Sequence, residues 1–411
     1  MSASATTMTL PNSVLRTLAA APHRLMFFIG ATNVLLAMTW WAVWLVDARW
    51  QIFNMSQPAV PAGWMHATIM QYQVLPSFIF GFLLTVFPRW MNLPALERSH
   101  YVPVGVGLFG GQLLTFAGLF AGMPLLKTGA AFTFVGWSVG TALLVRLVCR
   151  DQGRTAHALS CAFALSFGLL GLTAYMLYLQ SADPKLLFLS VKIGSIAVLL
   201  PIYFTVCHRM IAFFASGVIA NYQVQRPMWV LAAFWPLVLA HTWLELRHAY
   251  QWLWLVDAPL AALTAWLLYQ WWPRTSMPAL LRVLFVGFAW LPVAFALYTA
   301  QSGWFAATGE FLFGRGPAHA LFIGFFGSLL VAMVTRVTQG HSGRPLVLGN
   351  VAAFAFLLVQ IITVIRVVAE LLPNSLTWQA IAAIGWIVAF LPWTLRSAWI
   401  YLTPRADGKA G

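Results

Sequence analysis

The feature that most constrains this chain is a succession of about twelve apolar runs, each near the roughly 20 residues that span a bilayer. They cover 25–47, 66–88, 101–125, 128–148, 157–180, 185–208, 228–249, 252–272, 279–301, 318–338, 347–371 and 377–401. Of the 411 residues, 61% are hydrophobic and only 8% charged; a soluble domain carries roughly 25% charged residues. In hydrocarbon every backbone amide must be satisfied internally, so runs of this length read as helices. The expected fold is an all-α polytopic membrane protein with its helices in one bundle. No soluble domain fits in the short connections. Residues 1–24 read as a cytoplasmic tail, 25–403 as a single transmembrane domain and 404–411 as a second cytoplasmic tail. The first segment lacks a charged start and a small-residue cleavage site, so it does not read as a signal peptide. No internal repeat is evident.

A formal charge of +14 invites a nucleic-acid reading, but the basic residues are scattered singly between spans and form no basic run. They work better as topology anchors. With the N-terminus inside, sixteen of the 23 Lys and Arg fall on the inner side and five on the outer, while Lys192 and Arg366 lie within spans. That bias places both termini in the cytoplasm. Cys149, Cys161 and Cys207 are too few and scattered for a disulfide framework or a metal cluster, and read as small packing residues.

This topology sorts the histidines by depth. His66, His241, His248 and His319 fall toward the outer side, and His208 and His341 toward the cytoplasm. An imidazole entering hydrocarbon needs a partner. His66 and His319, far apart in sequence and level in depth, could be the two axial ligands of a haem iron, or interfacial histidines bonded to neighbouring helices. Met70 and Gln73 follow His66 at i+4 and i+7, on one helical face if the helix is regular. Gly327, eight residues beyond His319, would leave that face bare enough for a flat macrocycle. His241, Glu245 and His248 also share a face and could take copper, or form a wet helix end paired with Arg247 or Arg49. Arg366 suits the carboxylates of a haem, with snorkelling as its alternative; for Lys192 snorkelling is the expected behaviour. At the cytoplasmic helix ends, Arg209, Arg336, His341 and Arg344 read as anchors around a glycine turn, or as a gate closing over the inner side.

Three segments resemble the NnrS family of bacterial membrane proteins. His66-Ala67, with Gly81 to Thr85 and Pro88-Arg89-Trp90, is similar to the family's W-H-A-H-E-M followed by G-F-L-L-T-A-V-P-N-W. Arg209 to Phe214 is similar to G-R-x-I-P-x-F. His319-Ala320-Leu321, Thr335-Arg336 and Gly340 to Leu346 match H-A-L-T-V-G, M-T-R and G-H-T-G-R-P-L nearly position for position. Where the family often has a second His and a Glu, this chain has Thr68 and Ile69; His208 stands for a glycine and Ala212 for a proline. A metal site built on that second histidine is therefore not expected here.

The resemblance implies a bacterial inner-membrane protein holding haem b between His66 and His319, with copper as a further cofactor. It would bind, sense or detoxify nitric oxide or another small diatomic ligand, in nitrosative stress or beside denitrification partners. Alternatives are a small-solute or metal transporter and a non-catalytic factor delivering haem or copper. The span count is analogous to the haem–copper oxidase catalytic subunit. The tenth span holds only His319, so oxygen reduction is not expected.

Overall fold

Each apolar run becomes a helix because lipid offers no hydrogen bonds to its backbone. The computed structural model describes residues 10–408, and among them every regular element is helical. A short helix, Leu10–Leu18, precedes twelve long ones. These are α1 (Pro22–Trp50), α2 (Ala62–Trp90), α3 (Arg98–Ala121), α4 (Met123–Arg150), α5 (Ala156–Ser181), α6 (Pro184–Ser216), α7 (Met228–Leu246), α8 (Trp254–Trp271), α9 (Ala279–Thr308), α10 (Gly316–His341), α11 (Asn350–Leu371) and α12 (Ser375–Leu402). All but α8 are long and apolar enough to cross a membrane. Helix α8 has 18 residues and carries Asp257 in its first turn. Its crossing follows from the chain's ends. Arg24, at the start of α1, donates from Nη1 to the carbonyls of Tyr401 and Thr403 at the end of α12, at 3.1 and 2.8 Å. Both ends thus leave the bundle at one face, which requires an even number of crossings.

The exposed faces carry the side chains lipid would take, such as Leu357, Ile361 and Val364 on α11 and Leu391, Leu395 and Trp399 on α12. The protein is a multi-pass membrane protein. Its innermost helices are the second, sixth and tenth: 89, 67 and 89% of the apolar stretches of α2, α6 and α10 are buried, against 61% or less in the others. These three also carry the π-helical segments, Met70–Val74, Ile193–Leu199 and Ala320–Gly327. The most buried helices, each with a π segment, thus recur at four-helix intervals along the chain.

Proline explains part of this irregularity. Pro76 has no N–H for the carbonyl of Tyr72, four residues earlier; the Trp137 indole on α4 donates to that carbonyl instead, at 2.8 Å. The Tyr72 hydroxyl donates to the carbonyl of Ser190 on α6 at 2.7 Å, and bare Gly194 leaves room for the ring. Towards the face where the chain's ends lie, α1, α2, α6 and α10 surround an apolar cavity of about 60 Å³, lined by Phe78, Leu83, Tyr203, Cys207, Leu330 and Val334 among others.

Helices α3 and α4 meet backbone to backbone. A Cβ on Gly107 would lie 2.5 Å from the Gly136 Cα and 2.7 Å from its nitrogen. Small residues allow such an approach in membranes, and backbone cannot yield as a side chain can. Gly107→Ala is expected to cost about 1–3 kcal/mol, as overpacking does. Gly303→Ala, where a Cβ meets nothing within 4 Å, should unfold at the wild-type temperature. Equal melting of the two variants would refute the close-contact account.

Candidate functional site

At the face opposite the chain's ends, five elements converge: α1, the start of α2, the loop before α10, the start of α10 and the end of α11. Pro317 occupies the first turn of α10, where its missing N–H costs nothing, and His319 follows on that turn. The His319 Nδ1 lies 2.9 Å from the carbonyl of Arg315. A carbonyl only accepts, so Nδ1 carries the proton and Nε2 keeps its lone pair. This is the tautomer of a metal-ligating histidine whose other nitrogen is tied to backbone. Arg315 also reaches the start of α2, where its Nη1 lies 3.7 Å from the position of a Cβ on Gly63.

His66 stands one turn into α2. Its ring stacks on Trp41 of α1 with centroids 4.5 Å apart and planes 8° from parallel. Stacking fixes the ring plane but leaves the in-plane nitrogens free, and Nδ1 is buried without a partner. His66 and His319 lie within electrostatic reach of each other, and Arg366 within reach of both. Both imidazoles thus lie at this end of the bundle, within range of each other's charge. Arg366 does not snorkel: its Nη1 is 2.7 Å from Glu370 Oε1, one turn further along α11. Glu370 packs against Gly314 in the loop before α10, where φ is +48° and the backbone favours glycine.

Met70 and Gln73 do not join this group as expected. The turn from His66 to Met70 is a regular α turn, with the Met70 amide donating to the His66 carbonyl, but the wider π turn that begins at Met70 changes the register for Gln73. Met70 packs against the apolar core. Gln73 Nε2 donates to Thr115 Oγ1 at 2.9 Å and Thr133 Oγ1 at 3.0 Å, on α3 and α4. Gly327 is likewise displaced by the π segment before it. Its bare face receives Trp386 of α12, 3.1 Å from where a Cβ would stand, and leaves no room there for a macrocycle.

His241 and Glu245 are brought together, but His248 is not. His248 lies past the end of α7 at φ +53°, exposed, with Nδ1 2.9 Å from the Tyr250 hydroxyl. In its place the structure supplies Asp257 of α8, whose Oδ1 is 2.6 Å from His241 Nδ1. Lys192 of α6 completes a quartet from its partly exposed edge, its side chain 24% exposed and its Nζ 2.7 Å from Glu245 Oε1. Lys192 therefore pairs within the bundle and does not snorkel, and Glu245 pairs with neither Arg247 nor Arg49; Arg49 donates to Thr377 at 2.6 Å. His241 Nε2 lies 3.5 Å from Glu245 Oε2, and neither atom has a hydrogen bond. Among the described residues no three His, Cys, Asp or Glu are arranged to hold a bare metal ion.

Reading the sequence missed Asp257, Trp41 and Glu370. A carboxylate inside a span was itself a signal for Asp257, and the i, i+4 spacing from Arg366 was one for Glu370. Nothing in the sequence marks Trp41. At the end of the bundle that carries both chain ends, the four basic residues stand over or beside rings. Arg209 lies 4.5 Å from the Trp90 centroid, Arg336 4.1 Å from Phe214 and Arg344 5.2 Å from Trp399, while the His341 ring lies 4.3 Å from that of His23, tilted by 39°.

The residues of the outer cluster fit a haem. They offer two imidazoles from distant helices, an unpartnered buried nitrogen on one, a backbone-fixed tautomer on the other, and guanidinium groups for carboxylates. The family model described as NnrS protein matches residues 17–405, nearly the whole chain. No curated protein matches the chain.

Proposed function

The chain belongs to the NnrS family, and on that premise we propose that it is a haem protein of the bacterial inner membrane that binds nitric oxide. The observation that carries this reading is the meeting of His66 and His319 beside Arg366 at one end of the bundle. Haem iron, when bound, would supply the atom that takes a small diatomic molecule, in exchange for one of the two imidazoles that would hold it. The chain's own residues do the rest. The Arg315 carbonyl holds the proton on His319 Nδ1 and leaves Nε2 to bind. Trp41 holds the His66 ring flat. Arg366, steadied by Glu370, is placed to neutralise carboxylates in a medium where an unpaired charge is costly. The apolar cavity among α1, α2, α6 and α10 suits a small apolar molecule better than water.

Protein purified from bacterial membranes is expected to show a Soret band and about one iron per chain, and nitric oxide should shift that band. Colourless, iron-free protein that had been supplied with haem during growth would falsify the proposal. The quartet of Lys192, Glu245, His241 and Asp257 favours a second reading, proton-coupled transport, because intramembrane charges commonly line such paths. Proteoliposomes that take up solute without bound iron would decide for it.

A further inference from the structure

At the cytoplasmic face, far from the haem candidate, basic groups collect with too few acids to balance them. His23 and Arg24 open α1, Arg89 closes α2, and His341 and Arg344 belong to the Gly-His-Ser-Gly-Arg-Pro turn after α10. The chain's last described segment folds over this turn: the Ala406 amide donates to the Ser342 carbonyl at 2.9 Å, and Arg405 Nη1 donates to the His341 carbonyl at 2.9 Å. Topology anchors would spread into water or headgroups. These groups pack against one another instead. Arg24 is 3% and His23 5% exposed, and the imidazoles of His23 and His341 lie 4.3 Å apart, tilted by 39°.

The charges acting most strongly on His23, Arg24, His341 and Arg344 are all basic. The acid joined to the group is Asp407, held by Arg405 at 2.6 Å and lying against Gly343. Arg24, Arg89, Arg344 and Arg405 against Asp407 leave an excess of three positive charges. Two buried atoms are also without partners: Nδ1 of His23 and Nη1 of Arg344. Burial, followed by the charge of Arg396, lowers the Arg344 pKa from its ordinary value. A bound anion would relieve both the crowding and the missing hydrogen bonds.

We infer that this cluster is a binding site for an oxyanion of the phosphate class, with Arg344, Arg24 and His23 as its principal donors. Guanidinium forks match tetrahedral oxyanions with paired hydrogen bonds. Two sources share that chemistry: free inorganic phosphate from the cytoplasm, and the phosphodiester of an anionic lipid in the inner leaflet.

The test uses the full chain, either delipidated in a neutral detergent or in nanodiscs. Inorganic phosphate is titrated in detergent at constant ionic strength against chloride, and nanodiscs of phosphatidylglycerol are compared with nanodiscs of phosphatidylcholine. The readout is the rise in unfolding temperature that a ligand of the native state produces. Stabilisation by phosphate over chloride supports a site for the free anion; stabilisation by phosphatidylglycerol alone supports the lipid headgroup. In whichever arm responds, Arg344→Gln should weaken binding about 10- to 100-fold, the range for losing a hydrogen bond to a charged group. Asp407→Asn should act oppositely and tighten it several-fold, a sign that a merely structural role does not give. Each variant's unfolding temperature without ligand controls for folding. No selective response in either arm, or an unchanged response in Arg344→Gln protein, overturns the inference.

Discussion

His319→Ala protein, purified alongside wild type from haem-fed cells, is expected to lose at least about nine-tenths of its Soret absorbance. Substituting an outer partner of a metal ligand already costs 10- to 100-fold in affinity, and this change removes the ligand itself. His66→Ala should lose haem comparably, because each imidazole is borne by a different helix and neither has a second nearby histidine to replace it. Trp41→Ala, which removes only the stacking partner 4.5 Å from His66, should retain haem that leaves more readily. His319→Gly leaves space where the ring stood, so added imidazole should restore part of the Soret band. That rescue separates ligation from support of the fold. If both alanine variants keep the wild-type spectrum while eluting as folded protein, the haem lies elsewhere or these histidines do not hold it.

How far the sequence foretold this arrangement depended on whether a feature was local. All twelve apolar runs became helices, since length and hydropathy settle a span without reference to its neighbours. His66 and His319 could be paired because charge bias fixes each span's direction, and direction fixes depth. The errors arose where regular geometry was assumed. Gln73 and Gly327 were placed by counting 3.6 residues per turn through segments that are π-helical. Only tertiary facts mark those segments, such as the Trp137 indole meeting the carbonyl that Pro76 leaves unbonded. Lys192 was misjudged for a related reason. Its partner Glu245 is 53 residues away, and an isolated lysine near a span's end reads as one that reaches for water. His248 was grouped with His241 by spacing, but α7 ends at Leu246 and the left-handed residue beyond it turns away.

The quartet should dominate stability. Lys192→Met leaves buried Glu245 charged without its strongest counter-ion, and breaking a buried pair by removing one partner costs about 3–5 kcal/mol; Glu245→Gln should cost less, because the Lys192 side chain is 24% exposed and can be hydrated. Replacing both partners by uncharged residues is often nearly neutral, so Lys192→Met/Glu245→Gln should be far more stable than the sum of the single losses predicts. His241 and Asp257, with 0% side-chain exposure and only 2.6 Å between them, should give a second cycle of the same sign. Cys161 and Cys207 are buried and Cys149 is exposed, so in a Cys149→Ser background a thiol-reactive fluorophore reports unfolding on heating. Additive losses would show that the two charges do not sense each other, and wild-type melting in both single variants would show that the lysine reaches water. The expected non-additivity has a further consequence. Lys192 comes from the sixth helix, Glu245 and His241 from the seventh and Asp257 from the eighth, so the network fixes the register of the middle four-helix group. It does so beside the π segment of α6, where the backbone itself is least constrained.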